Sequence, residues 1–136
     1  MKKVVIFILA ALMISQNPLG ILVDASEPNY EVMPCWENID GINISLNFSG
    51  TTGTASVTVE RIYGVTSSIE ATLTVYKKVG SSWVYVTSTS GSSTRNLNLA
   101  FDFTGISGVT YKAVADVTAT GLGGVETDSV SETCTC

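Results

Sequence analysis

The sequence predicts an all-β fold, an antiparallel β-sandwich of about seven strands that follows a short N-terminal targeting segment. Apolar and polar residues alternate with a period of two through most of the chain after residue 40, which is typical of strands with one buried face. Turn residues, mainly Gly, Ser, Thr and Asn, separate these runs about every eight to fifteen positions, a spacing that indicates many short strands. After residue 25 no segment carries the periodicity or the capping residues of a helix.

The first 25 residues have the features of a signal peptide. Lys2 and Lys3 precede an apolar run at 4–14, which is too short for a membrane-spanning helix of about 20 residues. Small or aliphatic residues, Val23 and Ala25, stand at the −3 and −1 positions that signal peptidase prefers. We therefore expect a signal-peptide helix that is removed, and a product that is secreted to the extracellular medium.

The predicted organisation has three parts: a signal peptide at 1–25, a lead-in segment at 26–39 and the β-sandwich at 40–136. The chain after residue 25 is long enough for one domain and too short for two. It holds five basic and eleven acidic residues, for a net charge of −6. Nucleic acids and anionic membranes demand basic patches, so we expect neither as a partner once the signal peptide is gone.

The first three strands follow from alternating apolar side chains at 42–48, 55–59 and 69–75. In the first of them Ile42, Ile44, Leu46 and Phe48 face one side, and polar residues face the other. The segment at 49–53, rich in Gly and Thr, is expected to interrupt the pattern between the first and second strands.

A tight hairpin is predicted at Val79-Gly80-Ser81-Ser82, because glycine at the first central position suits a type II′ turn. The resulting register pairs Lys78 with Trp83, Tyr76 with Tyr85 and Val75 with Val86. Four side chains then share one face of the hairpin: Tyr76, Lys78, Trp83 and Tyr85. Three valines take the other face: Val75, Val84 and Val86. If the valine face packs inward, the aromatic rings stand on the outer surface.

The last three strands are predicted at 97–103, 111–119 and 125–136. The fifth strand alternates large apolar residues with Asn, Ala and Asp. Turns at 105–108 and at the glycines of 121–124 separate the strands.

The segment from Gly105 to Ala119, followed by a glycine turn and a Ser/Thr-rich strand, resembles the last two strands of fibronectin type III and other immunoglobulin-like domains. The resemblance implies an immunoglobulin-like (fibronectin type III-like) antiparallel β-sandwich. It also implies that Tyr111 is structural, with its hydroxyl bonded back to the preceding corner. The inter-sheet disulfide of antibody domains is not implied, since Ala55 and Ala113 or Ala115 stand at those places.

A broader resemblance covers most of the chain after residue 35. Its motifs are Trp36-Glu-Asn, Leu46-Asn-Phe-Ser-Gly-Thr-Thr, the run from Ile69 to Lys78, Gly108-Val-Thr-Tyr-Lys and Glu126-Thr-Asp-Ser-Val. These are similar to a family of small secreted proteins of unknown function from Gram-positive bacteria. The resemblance implies a secreted bacterial protein and this fold, and it implies no activity.

No catalytic or metal site is expected. The chain has no histidine, which excludes Ser-His-Asp and Cys-His nucleophile systems and histidine-based zinc sites. The acidic residues fit the solvated faces of strands. Calcium in a loop stays open, at Asp40 or at Glu126 and Asp128, with turn formation as the simpler interpretation. We therefore predict no cofactor and no enzyme.

The aromatic face of the hairpin is the candidate binding surface, because exposed aromatic clusters mark interaction sites. Flat rings could stack on sugars or anchor a protein partner, although cross-strand pairs also simply stabilise hairpins. The predicted function is a non-catalytic module that binds a glycan or a protein surface. The alternative is a secreted effector such as a protease inhibitor or an antimicrobial factor, which the acidic charge and the lack of a disulfide-braced loop disfavour.

The chain has three cysteines, at positions 35, 134 and 136. In a secreted protein a disulfide is the expected state. The first and last strands of an immunoglobulin-like sandwich lie close together, so Cys35 is predicted to bond to Cys134 or Cys136. Cys134 is preferred because a terminal residue frays, and a direct Cys134–Cys136 bond stays open. The remaining thiol would be capped or would link two chains into a dimer.

Overall fold

The computed structural model describes residues 36–136, which form seven strands and no helix. The strands are β1 (Ile39–Ser49), β2 (Thr52–Arg61), β3 (Thr66–Val79), β4 (Ser82–Ser93), β5 (Leu97–Thr104), β6 (Thr110–Gly121) and β7 (Gly124–Thr135). The predicted signal peptide and the lead-in as far as Cys35 lie outside the described residues. Within 36–136 there is no helix long and apolar enough to cross a membrane.

The strands form two antiparallel sheets, one of three strands in the order β1-β2-β5 and one of four in the order β4-β3-β6-β7. In constant-type immunoglobulin domains the fourth strand joins the sheet of the first, second and fifth strands. Here β4 instead pairs with β3 across the hairpin, which gives the fibronectin type III-like version of the sandwich. The predicted all-β, seven-stranded fold is confirmed.

The core lies between the sheets and is built from the alternating apolar positions. Val57 and Val59 of β2 belong to the same buried cluster as Ile69 and Leu73 of β3, and these four side chains are at most 1% exposed. Buried residues of β6 complete the cluster. Burying an aliphatic side chain of this size contributes about 1.5–3 kcal/mol to folding. The same alternation leaves the outer side of each sheet polar.

A ring cluster closes one end of the core. The Phe48 centroid lies 5.6 Å from that of Phe103 and 5.2 Å from that of Tyr111. Gly53 lies against this cluster, and a methyl group in place of its hydrogen would lie 2.7 Å from ring atoms of Phe48 and Phe103. The predicted break at 49–53 is shorter than expected: β1 runs to Ser49 and β2 starts at Thr52, so only residues 50 and 51 lie between the strands. Gly53 pairs with Phe48 in the ladder, and its lack of a side chain leaves room for the two rings.

The β3–β4 hairpin has the predicted turn. Gly80 has a φ of 62°, and within residues 36–136 no non-glycine residue, Ser81 included, has a positive φ. This excludes a type I′ turn, which needs a positive φ at both central residues. Tyr76 pairs with Tyr85 and Lys78 pairs with Trp83, as predicted.

The predicted pair Val75–Val86 is wrong, since Val75 pairs with Thr87. The register shifts between Val75 and Tyr76, so Val86 is an extra residue on β4. A bulge of this kind is common on edge strands, where it bends the strand and increases its twist.

Tyr111 is the second residue of β6 and is 1% exposed. Its hydroxyl accepts a hydrogen bond of 2.8 Å from the backbone N–H of Ile106. This is the tyrosine-corner arrangement of immunoglobulin-like domains, and it fixes the turn between β5 and β6.

Candidate binding face

The four predicted site residues lie together on the outer side of the four-stranded sheet. Tyr76 and Lys78 occupy alternate positions of β3, and their cross-strand partners Tyr85 and Trp83 occupy alternate positions of β4. Tyr76 also lies opposite Lys112 of β6. We call this group of five residues the aromatic–lysine patch.

The rings of the patch differ in exposure. Tyr85 is 59% exposed, whereas Tyr76 and Trp83 are half-buried. The Tyr85 hydroxyl shares a hydrogen bond of 3.1 Å with the Ser88 hydroxyl, which restrains the ring. Tyr85 is therefore the most accessible ring of the patch.

The valines predicted to pack inward do so only in part. Val75 is fully buried, Val86 is half-buried and Val84 is 42% exposed. Val84 lies on the edge strand opposite Lys77, past Val75, which is the last buried residue of β3. The core ends before it reaches this position.

Two lysine side chains lie over the rings. The Lys112 ammonium is 4.5 Å from the Trp83 ring centroid and 5.9 Å from that of Tyr76. The Lys78 ammonium is 5.9 Å from the Trp83 centroid. These distances are within the range of about 6 Å for a cation–π interaction, so the rings hold the positive charges at the patch.

Lys112 was missed from the sequence. It reaches the patch because β6 pairs with β3, and these strands are separated by two others along the chain. The only local signal was the alternation of β6, which places Lys112 on the polar side next to the buried Tyr111.

An open depression of about 460 Å³ lies further along the same sheet face. Its polar side chains come from outward positions of β3, β4 and β6: Glu70, Thr72, Ser90, Ser92, Asp116 and Thr118. The hydroxyls of Thr72 and Ser90 share a hydrogen bond of 2.8 Å. Thr72 is four residues from Tyr76 on the same face of β3, or about 13 Å, so the depression and the patch form one continuous surface.

The hydroxyls and carboxylates of the depression were interpreted from sequence only as a solvated strand face. Their polarity is indeed what any solvent-facing sheet requires. Because β4, β3 and β6 are paired side by side, these polar side chains line a single recess. The sequence of one strand alone does not show this.

Two of the three acidic residues considered for calcium, Glu126 and Asp128, have protein partners. Glu126 accepts hydrogen bonds from the backbone N–H groups of Glu37 (3.1 Å) and Asn38 (2.8 Å). Asp128 accepts one of 2.6 Å from the Trp36 indole N–H. These carboxylates attach residues 36–38 to β7. Within 36–136 no group of three or more acidic or cysteine side chains is placed to hold a metal ion.

The terminal thiols, Cys134 and Cys136, are half-buried and are not bonded to each other. Since Cys35 lies outside the described residues, its bond to either of them stays a prediction. The backbone of Cys136 is paired: its N–H donates to the Val109 carbonyl (3.0 Å), and its carbonyl accepts from the Gly108 N–H (2.9 Å). The preference for Cys134 over Cys136 stays a prediction.

No protein-family model matches the chain, and no curated protein matches it. The similarity to small secreted Gram-positive proteins thus stays a prediction. The function is therefore inferred from the side chains on the outer face of the four-stranded sheet.

Proposed function

We propose that this is a secreted bacterial, non-catalytic binding module that recognises a glycan on the outer face of its four-stranded sheet. The proposal rests on one observation: the aromatic–lysine patch and the depression adjoin each other on this face. Three aromatic rings lie at one end, of which Tyr85 is exposed, and a depression lined by hydroxyls and carboxylates lies at the other.

The aromatic rings suit the C–H faces of a sugar, and the depression suits its hydroxyls. A pyranose ring has faces of C–H groups that pack on Tyr and Trp rings, whose polar tips stay in contact with water. Its hydroxyls are both donors and acceptors, as are the Ser and Thr hydroxyls of the depression, and they donate well to Glu70 and Asp116. An open and shallow face suits a chain lying across it, whereas small-molecule sites enclose most of their ligand.

Binding without catalysis is the simpler proposal for this surface. Glycoside hydrolases place two carboxyl groups on either side of the scissile bond, and catalytic sites gain much of their effect by excluding water. Glu70 and Asp116 lie in an open depression. The same two groups can instead accept hydrogen bonds from bound sugar hydroxyls.

A protein partner is the alternative, and one observation favours it. β4 is an edge strand of twelve residues without a single charged side chain. Edge strands with unpaired backbone groups can accept a strand from another chain. The other edge of the same sheet, β7, carries Glu126, Asp128 and Glu132, and charges of this kind discourage such pairing.

A glycan array with the purified secreted chain tests the proposal. We expect Tyr85→Ala and Trp83→Ala to weaken the array hits at least about fivefold, since a ring contact of this kind contributes on the order of 1 kcal/mol. Tyr63→Ala is the matched control, because Tyr63 is 86% exposed and lies at the other end of β3. The absence of any hit for the unmodified chain, or hits that both variants retain in full, would sink the proposal.

A further inference from the structure

We propose that the glycan is acidic and that its carboxylate or sulfate binds between Lys78 and Lys112, an inference that rests on the proposed function. The observation behind it is the distribution of positive charge. The chain after residue 25 contains only three lysines, Lys77, Lys78 and Lys112. Two of them belong to the aromatic–lysine patch, and Lys77 is the chain neighbour of Lys78.

The few positive side chains of the chain after residue 25, whose net charge is −6, lie in two places. The two arginines are near each other: Arg61 lies over the Tyr63 ring at 5.2 Å and donates to the Thr94 carbonyl at 3.3 Å, and Arg95 follows Thr94 in the β4–β5 connection. The lysines of the aromatic–lysine patch are the cations on the face that also holds the depression. An acidic group of a glycan bound on that face therefore meets Lys78 and Lys112, to which it is attracted.

The contacts with the rings restrain the lysine side chains and leave N–H donors free for an anion. An ammonium group has three N–H donors, and a contact with one ring face leaves donors free for ligand oxygens. Because Lys112 already lies over Trp83 at 4.5 Å, less side-chain freedom is lost when it binds a ligand. Hydrogen bonds between an ammonium and a carboxylate are stronger than those between neutral groups.

The charges of the depression predict the orientation of the bound glycan. Glu70 and Asp116 make that part of the face negative, and they lie more than one Debye length, about 8 Å at physiological salt, from the patch. An acidic group is thus favoured at the lysine end, and uncharged hydroxyls are favoured over the depression. The surface is suited to a glycan with an isolated acidic residue rather than to a densely charged polymer.

Matched oligosaccharides separate this inference from the proposed function. The probes are lactose against sialyllactose, and cellotetraose against cellotetraose oxidised to a uronic acid at its terminal primary alcohol. Within at least one pair we expect the acidic member to bind about tenfold more tightly by titration calorimetry. That preference should fall when NaCl is raised from roughly 50 mM to about 500 mM, because screening weakens exposed charge pairs.

Charge-matched variants identify the binding residues. Lys112→Gln and Lys78→Gln should each reduce the affinity for the acidic member about fivefold and leave the neutral member almost unaffected. Arg95→Gln removes the same charge away from the patch and should change neither. Lys78 is exposed, so its variant remains informative if Lys112→Gln disturbs the fold.

Each result has a definite consequence. Equal affinity within both pairs, array hits confined to neutral glycans, or an equal loss in Arg95→Gln would overturn the acidic-ligand inference and leave the glycan proposal standing. No binding to either pair and no array hit would overturn both.

Discussion

Tyr111 shows how one side chain can fix a connection between the sheets. Its ring packs against Phe48 and Phe103, with centroids at 5.2 and 5.4 Å. Its hydroxyl accepts the Ile106 N–H at 2.8 Å. The ring contributes through burial, and the hydroxyl satisfies a backbone donor in the turn that precedes β6.

Removing that hydroxyl should destabilise the protein without changing its fold. We expect Tyr111→Phe to lower the free energy of unfolding by about 1–2 kcal/mol, the cost of a lost bond and a partly desolvated donor. Urea denaturation measures it. Tyr63→Phe, at an exposed position, should be neutral, and equal stability of both variants would contradict this role for Tyr111.

Site residues could be predicted where the contact is local in the chain. Tyr76, Lys78, Trp83 and Tyr85 were found because a two-residue turn determines the register around Gly80. Lys112 could not be found in this way. Its place over Trp83 depends on pairing between strands that are distant along the chain, and many registers are compatible with alternating sequences.

At the scale of single elements, β7 is an edge strand whose core-facing side carries acids. Glu126 and Glu132 pair with Ala119 and Ala113, which are fully buried, so both acids are on that side. Glu126 binds the backbone of residues 37 and 38. Asn38, also fully buried, bonds through its side chain to Gly123 and Gly124. Residues 37 and 38 are thereby held against the start of β7 and the β6–β7 turn.

The two glutamates make a matched test of this attachment. In reducing buffer we expect Glu126→Ala to lower the free energy of unfolding by about 1–3 kcal/mol, because charge-assisted bonds to backbone donors are lost. Glu132→Ala, exposed on the same strand, should cost less than about 0.5 kcal/mol. Thermal or urea unfolding compares them, and equal effects would show that residues 36–38 add nothing measurable.

The bulge of β4 was not predictable from alternation. The sequence at 82–93 reads as a regular strand, and the turn alone predicts an uninterrupted ladder. The extra residue at Val86 lets Tyr85 stay opposite Tyr76 while Thr87 lies opposite Val75. The position of such a bulge depends on how the edge strand follows the twist of its sheet.

At the scale of the whole molecule, the predicted bond of Cys35 would tie the segment before β1 to the end of β7. A disulfide needs Cα atoms within about 7 Å. The Trp36 indole is bonded to Asp128, which is about 20 Å from Cys134 along β7. For the bond to form with residues 36–38 in place, the Trp36 side chain and the step to Cys35 would have to span most of that distance.

Thermal unfolding with and without reductant, together with peptide mapping under non-reducing conditions, tests the predicted bond. Closing a loop of about a hundred residues stabilises by about 4–5 kcal/mol in the entropy model. We therefore expect reduction to lower the Tm. An unchanged melting curve and no peptide containing Cys35 joined to Cys134 or Cys136 would rule the bond out.

The sequence by itself determined the all-β class, the strand positions and the Gly80 hairpin with its aromatic face. These follow from period-two alternation and from turn chemistry, which act over a few neighbouring residues. Only the tertiary structure decided that β6 pairs with β3, that Lys112 lies over Trp83, and that Glu70 and Asp116 converge on one recess. Those outcomes depend on which strands pair across long stretches of chain, and they are selected by the packing of the whole core rather than by any local pattern.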